Sequence, residues 1–160
     1  MKRDKGLDLI AMSLDYPELN MVKYDGVNNV IIFELAAHNE EAELQDNFIS
    51  QLKKCLELYY KLNMIKPDTV HIEVKNNTNI SFIRLHRDIK TVDSEELKLF
   101  IHVAHNYWGN CLIKDDCQYE SLINKNSWRR NLIDQIGKEI SRNSSYLVYR
   151  QHGKVVVHNR

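Results

Sequence analysis

Between residues 40 and 64 apolar side chains recur at Leu44, Phe48, Leu52, Cys55, Leu56, Tyr59 and Leu62, three or four positions apart. That spacing makes one stripe along an α-helix, and a stripe this long needs a broad apolar surface to cover it. Asn39 offers a side-chain oxygen as N-cap, and Glu40, Glu41 and Glu43 place negative charge at the exposed amides of the first turn. Lys66-Pro67 ends the helix. The cover has to come from strands, because the segments on either side are short and either alternate or are apolar throughout.

Met21 to Tyr24 and Val30 to Ala36 read as a hairpin around the turn dipeptide Asp25-Gly26. A second hairpin centred on Asn77-Thr78 sets Val70 across from Leu85, Ile72 from Ile83 and Val74 from Ser81. The apolar residues then share one face. The other face carries His71 across from Arg84, Glu73 from Phe82 and Lys75 from Ile80, with His86 near the end. Asp93 or Ser94 caps a further helix with a stripe through Leu97, Phe100 or Ile101, and Ala104, stopped at Gly109. Cys111-Leu112-Ile113 reads as an edge strand, and Trp128, Leu132, Ile136 and Ile140 mark another helix. Tyr146 to Tyr149 and Val155 to His158 close the chain as a hairpin around His152-Gly153, and residues 7–14 form a short helix before Pro17.

Hairpins dominate this order, so the expected class is α+β, a mainly antiparallel sheet with helices packed on one face. From residue 29 to 114 the order βαββαβ matches a ferredoxin-like core, extended by a C-terminal helix and hairpin. No repeat or linker divides the chain, so residues 1–160 are expected to be a single domain. No apolar run reaches the roughly 20 residues of a membrane span, and acids break up the N-terminal apolar residues. The expected setting is cytoplasmic, away from any membrane. Three cysteines without a secretion signal argue against a disulfide framework.

The net charge is zero, with 22 Lys+Arg against 22 Asp+Glu. Residues 1–80 nonetheless hold nine bases and thirteen acids, and residues 81–160 the reverse. Phosphate-cradling glycine loops and nucleophile or zinc motifs are absent from the sequence. His86-Arg87-Asp88 spells the kinase catalytic triplet without the other kinase motifs.

Three constellations could carry chemistry. Glu73, His71, Arg84 and His86 supply a carboxylate, imidazoles and a guanidinium to one sheet face. Metal-independent RNA cleavage uses such groups as base, acid and phosphate clamp. His102, His105, Cys111 and Cys117 are four nitrogen or sulfur donors, but the five residues between the cysteines fit a zinc site poorly. Arg129, Arg130, Arg142, Arg150 and Lys154, interleaved with Trp128, Tyr146 and Tyr149, could hold phosphates and stack bases. A chain without net positive charge does not favour nucleic acid as partner. The function expected is a non-enzymatic binding or regulatory module, self-associating as a homodimer or contacting a protein partner, with no cofactor and no metal. A small ribonuclease and a nucleic-acid-binding protein are the alternatives.

Overall fold

The computed structural model describes residues 16–38, 42–114, 145–151 and 154–159. The helices expected at 7–14 and from Trp128 to Ile140 lie outside them. Three hairpins, β1 (Leu19–Asp25) with β2 (Val30–His38), β3 (Val70–Asn76) with β4 (Ile80–Asp88), and β5 (Ser145–Gln151) with β6 (Lys154–Asn159), join in one antiparallel sheet. The strand order is β3-β4-β2-β1-β5-β6. Helix α1 (Ala42–Leu62) links β2 to β3, and α2 (Ser94–Trp108) follows β4.

Both β2 and β3 run antiparallel to the β4 between them, so they are parallel to each other and make a split βαβ unit with α1. These strands stand in the ferredoxin-like order. The fourth position, beside β2, is taken by β1, whose pairing ends at Leu35. Beyond that point Leu112 bridges Ala37, and the Ile113 amide donates to the Ala36 carbonyl at 2.8 Å. The expected edge strand is thus reduced to one bridge.

Local chemistry shapes the turns. Asp25 ends β1, and its carboxylate accepts from the amides of Val27 and Asn28 and from the Asn28 side chain at 2.7 Å. The Asn28 side chain is the main reason its pKa lies below the ordinary carboxylate value. The left-handed residue of the loop is Asn29, with φ 55°, a conformation asparagine tolerates better than most. In the second hairpin Ile72 faces Leu85 and Glu73 faces Arg84, two positions from the expected register. The Asn77 amide donates to the Ile80 carbonyl at 2.8 Å, so the loop lies further along the chain. A slip of two leaves each side chain on its expected face, because side chains alternate.

That face holds the core. Phe33 and Leu35 from β2, Ile83 and Leu85 from β4, Phe48, Leu52 and Leu56 from α1, and Leu97, Phe100 and Ala104 from α2 form one buried cluster. Phe48 meets Trp108 edge-on at 4.1 Å between ring centroids. Both helices therefore lie on the same side of the sheet.

Arg87 points into this core and is fully buried. All five of its donors are used. Nε donates to Glu96 Oε1 at 2.5 Å, and Nη2 to Glu96 Oε2 at 3.2 Å and Thr91 Oγ1 at 2.9 Å. Nη1 donates to the Thr69 carbonyl at 2.8 Å and to Asp88. Tyr60 lies beneath the guanidinium, 5.1 Å from ring centroid to Cζ, and donates its hydroxyl to Glu96. Burial opposes the Asp88 charge, but the Thr91 hydroxyl, the Thr69 amide and Arg87 outweigh it and bring its pKa down to about 2. Glu96→Ala leaves Arg87 paired with Asp88 but takes the acceptors from Arg87 Nε, from one Nη2 hydrogen and from the Tyr60 hydroxyl. It is expected to cost about 3–5 kcal/mol in urea unfolding. Glu95→Ala, on the exposed side of the same turn, should cost about 0–1 kcal/mol; equal losses would contradict this account.

Helix α1 ends in a Schellman motif. The Ile65 amide donates to the Tyr60 carbonyl at 2.9 Å and the Met64 amide to the Lys61 carbonyl at 3.4 Å. Met64 holds φ 52° and is almost wholly exposed, so its side chain contributes strain with little packing. Met64→Gly is expected to stabilise the fold by roughly 0.5 kcal/mol, the strain relieved less the entropy glycine loses on folding. Thermal denaturation of the two proteins measures it.

Candidate functional site

The side of the sheet away from the helices carries two rows of residues in register across all six strands. One runs Glu73, Arg84, Glu34, Met21, Tyr149, Val156. Its neighbour runs His71, His86, Ile32, Lys23, Leu147, His158. Alternation along each strand sets these side chains opposite the core.

At the β3–β4 end the rows form a polar cluster. Arg84 Nε donates to Glu34 Oε2 at 2.6 Å, and Asn20 Nδ2 donates to Glu34 Oε1 at 2.6 Å. The Glu34 side chain is 4% exposed, so both of its oxygens are tied down in a nearly dry setting. Arg84 Nη1 lies 3.9 Å from Glu73 Oε2, and Lys75 Nζ lies 3.5 Å from Glu73 Oε1. His86 Nε2 approaches Glu73 Oε2 at 3.4 Å without hydrogen-bond alignment. The His71 and His86 rings meet edge to face at 5.2 Å.

The histidine and the carboxylate both titrate low. Burial depresses the His86 pKa and the neighbouring His71 adds to it, while Glu73 opposes both. Burial works against the Glu73 charge, yet Lys75, His86 and Arg84 together hold its pKa below the ordinary value. At neutral pH the cluster therefore holds a neutral His86, and Arg84 is shared between two carboxylates. General acid–base attack on a phosphodiester needs base and acid on either side of the phosphate and an uncommitted cation. In this arrangement His86 and Glu73 lie against each other and Arg84 is already neutralised.

The structure brings the expected residues Glu73, His71, Arg84 and His86 together, with Glu73 directly across from Arg84 and His71 from His86. Sequence reasoning missed Glu34 and Asn20. The available signal was a lone carboxylate inside the otherwise apolar run Val30 to Leu35. At the β5–β6 end the rings of Tyr149 and His158 stack at 5.6 Å, with the hydroxyl 3.2 Å from Nε2.

The other two constellations fall partly or wholly outside the described residues. His105 Nε2 pairs with Glu18 Oε1 at 2.9 Å, His102 is exposed, Cys111 is half-buried, and Cys117 lies outside the described residues. No three His, Cys, Asp or Glu side chains among the described residues are placed to hold a metal ion. Arg129, Arg130 and Arg142 lie outside the described residues, while the backbones of Arg150 and Lys154 belong to the last hairpin. Comparison with protein-family models, curated proteins and solved structures finds no match to this chain.

An NMR titration should find His86 below its ordinary 6.5. Glu73→Gln should lower it further, since the carboxylate is what opposes burial. A rise in that variant would refute the assignment. The folded state then binds fewer protons than the unfolded chain just below pH 6.5. The His86 contribution to stability is accordingly present above that pH and lost as pH falls through the depressed pKa.

Proposed function

We propose that this protein is a non-enzymatic binding module that associates with a second copy of itself, in the cytoplasm and without a cofactor. The observation that carries the reading is the grading of the two rows. They carry Glu73, Arg84 and Glu34 at β3, β4 and β2, and beyond Lys23 turn mainly apolar, with Met21, Leu147, Tyr149 and Val156 half-buried on the face opposite the helices. A self-neutralised polar cluster beside an apolar strip suits recognition of a surface with the same grading. Zero net charge removes the long-range repulsion between like copies. No helix among the described residues is long and apolar enough to cross a membrane.

One observation favours a second reading. His71, Glu73, Arg84 and His86 do converge on one face, as a metal-independent ribonuclease requires. Against it stands the contact between His86, the candidate acid, and Glu73, which with His71 is a candidate base. Binding of nucleic acid through the basic C-terminal residues has no comparable support.

Native mass spectrometry of the freshly purified protein is expected to give a metal-free homodimer, and incubation with varied RNAs no cleavage. A monomer at every concentration would overturn the proposal. Cleavage lost on His86→Ala with the fold intact would overturn it in favour of the ribonuclease.

A further inference from the structure

We infer that two copies join edge to edge, β6 pairing antiparallel with β6 of the second copy about Val156, so that both sheets become one. This rests on the self-association proposed above and places its contact at a strand edge, where the two graded faces meet side by side in one continuous sheet. Among the described residues the outer strands of the sheet are β3 and β6. An outer strand presents a row of backbone amides and carbonyls that the sheet leaves unpaired, and natural sequences guard such rows with charge.

The two edges differ in this respect. Strand β3 carries Glu73 and Lys75, an ion pair on the strand itself, beside His71. Strand β6 reads Lys154-Val155-Val156-Val157-His158-Asn159, three β-branched residues in succession with one full charge at the first position. Its composition favours extension and offers little to repel another strand.

The occupant follows from symmetry. An antiparallel pair centred on Val156 sets Val155 beside Val157 of the other copy and Lys154 beside His158, so the two lysines stand at opposite ends. Residues directly across an antiparallel pair share a face. Centring on a residue, and not between two, therefore keeps the helices of both copies on one side. The row Glu73, Arg84, Glu34, Met21, Tyr149, Val156 then continues into its own mirror image. Its apolar end becomes the middle of the assembly and its charged end the two extremities. An isologous pairing of this kind closes on itself and does not propagate.

The experiment is a charge swap at the symmetry centre. Val156→Lys and Val156→Glu each place like charges face to face, so each alone is expected to be monomeric at concentrations where the wild type is dimeric. Mixed in equal amounts, the two should form a heterodimer with both masses in native mass spectrometry. Ile32→Lys, on the same face but three strands inward, should leave the dimer intact. Hydrogen exchange of the wild type gives a readout without any variant. The amides of β6 that point away from β5, at every second residue, should be protected in the dimer and exchange faster on dilution, while those facing β5 should not respond. A Val156→Lys protein that stays dimeric, an Ile32→Lys protein that does not, or β6 exchange indifferent to dilution would each overturn edge pairing while leaving self-association standing. A monomeric wild type would overturn both.

Discussion

The fold depends on neutralising one guanidinium in its interior. Arg87 brings a full charge onto the core face of β4, where an unpaired cation would cost several kcal/mol. What surrounds it comes from four places: Tyr60 from the last turns of α1, Thr69 from the approach to β3, Asp88 and Thr91 from the end of β4 and the turn beyond it, and Glu96 from the first turn of α2. None of these groups can move away without stranding another. The network ties the last turns of α1 and the first turn of α2 to the end of β4. Asp93 extends the lock, accepting the Tyr59 hydroxyl at 2.8 Å while capping α2 through the Glu96 amide.

A network of this kind explains which features could be read from the sequence. The stripe of α1, the faces of β3 and β4 and the cap of α2 follow from period and from terminal chemistry, which are local. Arg87 sits at an apolar position of an alternating strand, and its partners are up to 27 residues away in the sequence for Tyr60 and nine for Glu96. No local rule assigns it to the interior. The same limit hid the pairing of Glu34 with Arg84, fifty positions apart, and the use of β1 in place of the expected fourth strand. The register of the second hairpin was missed by two because Asn77, Thr78 and Asn79 are all good turn residues and only the closing Asn77–Ile80 hydrogen bond selects among them.

The two sides of the sheet treat charge differently. On the helix side a single cation is enclosed and every donor is satisfied, so the group is structural. On the other side Glu34 is held as tightly, but its partner Arg84 and the neighbours Glu73 and His86 keep partial contact with solvent. Charge there is fixed in position while still presented outward. That combination limits the conformational entropy lost on contact with another surface, the usual cost of recognising it with long side chains.

The seam between β1 and β5 has a temporal meaning. Ser145 lies beside Asp25 although 120 positions separate them. During synthesis the first two hairpins and both helices are complete long before β5 leaves the ribosome. Until then β1 lacks the partner that β5 supplies along its second edge. Contacts this distant in sequence are the slowest to form, because a long loop must close before they return any energy. The β5–β6 hairpin thus reaches the sheet after the other described strands and covers the outer edge of β1.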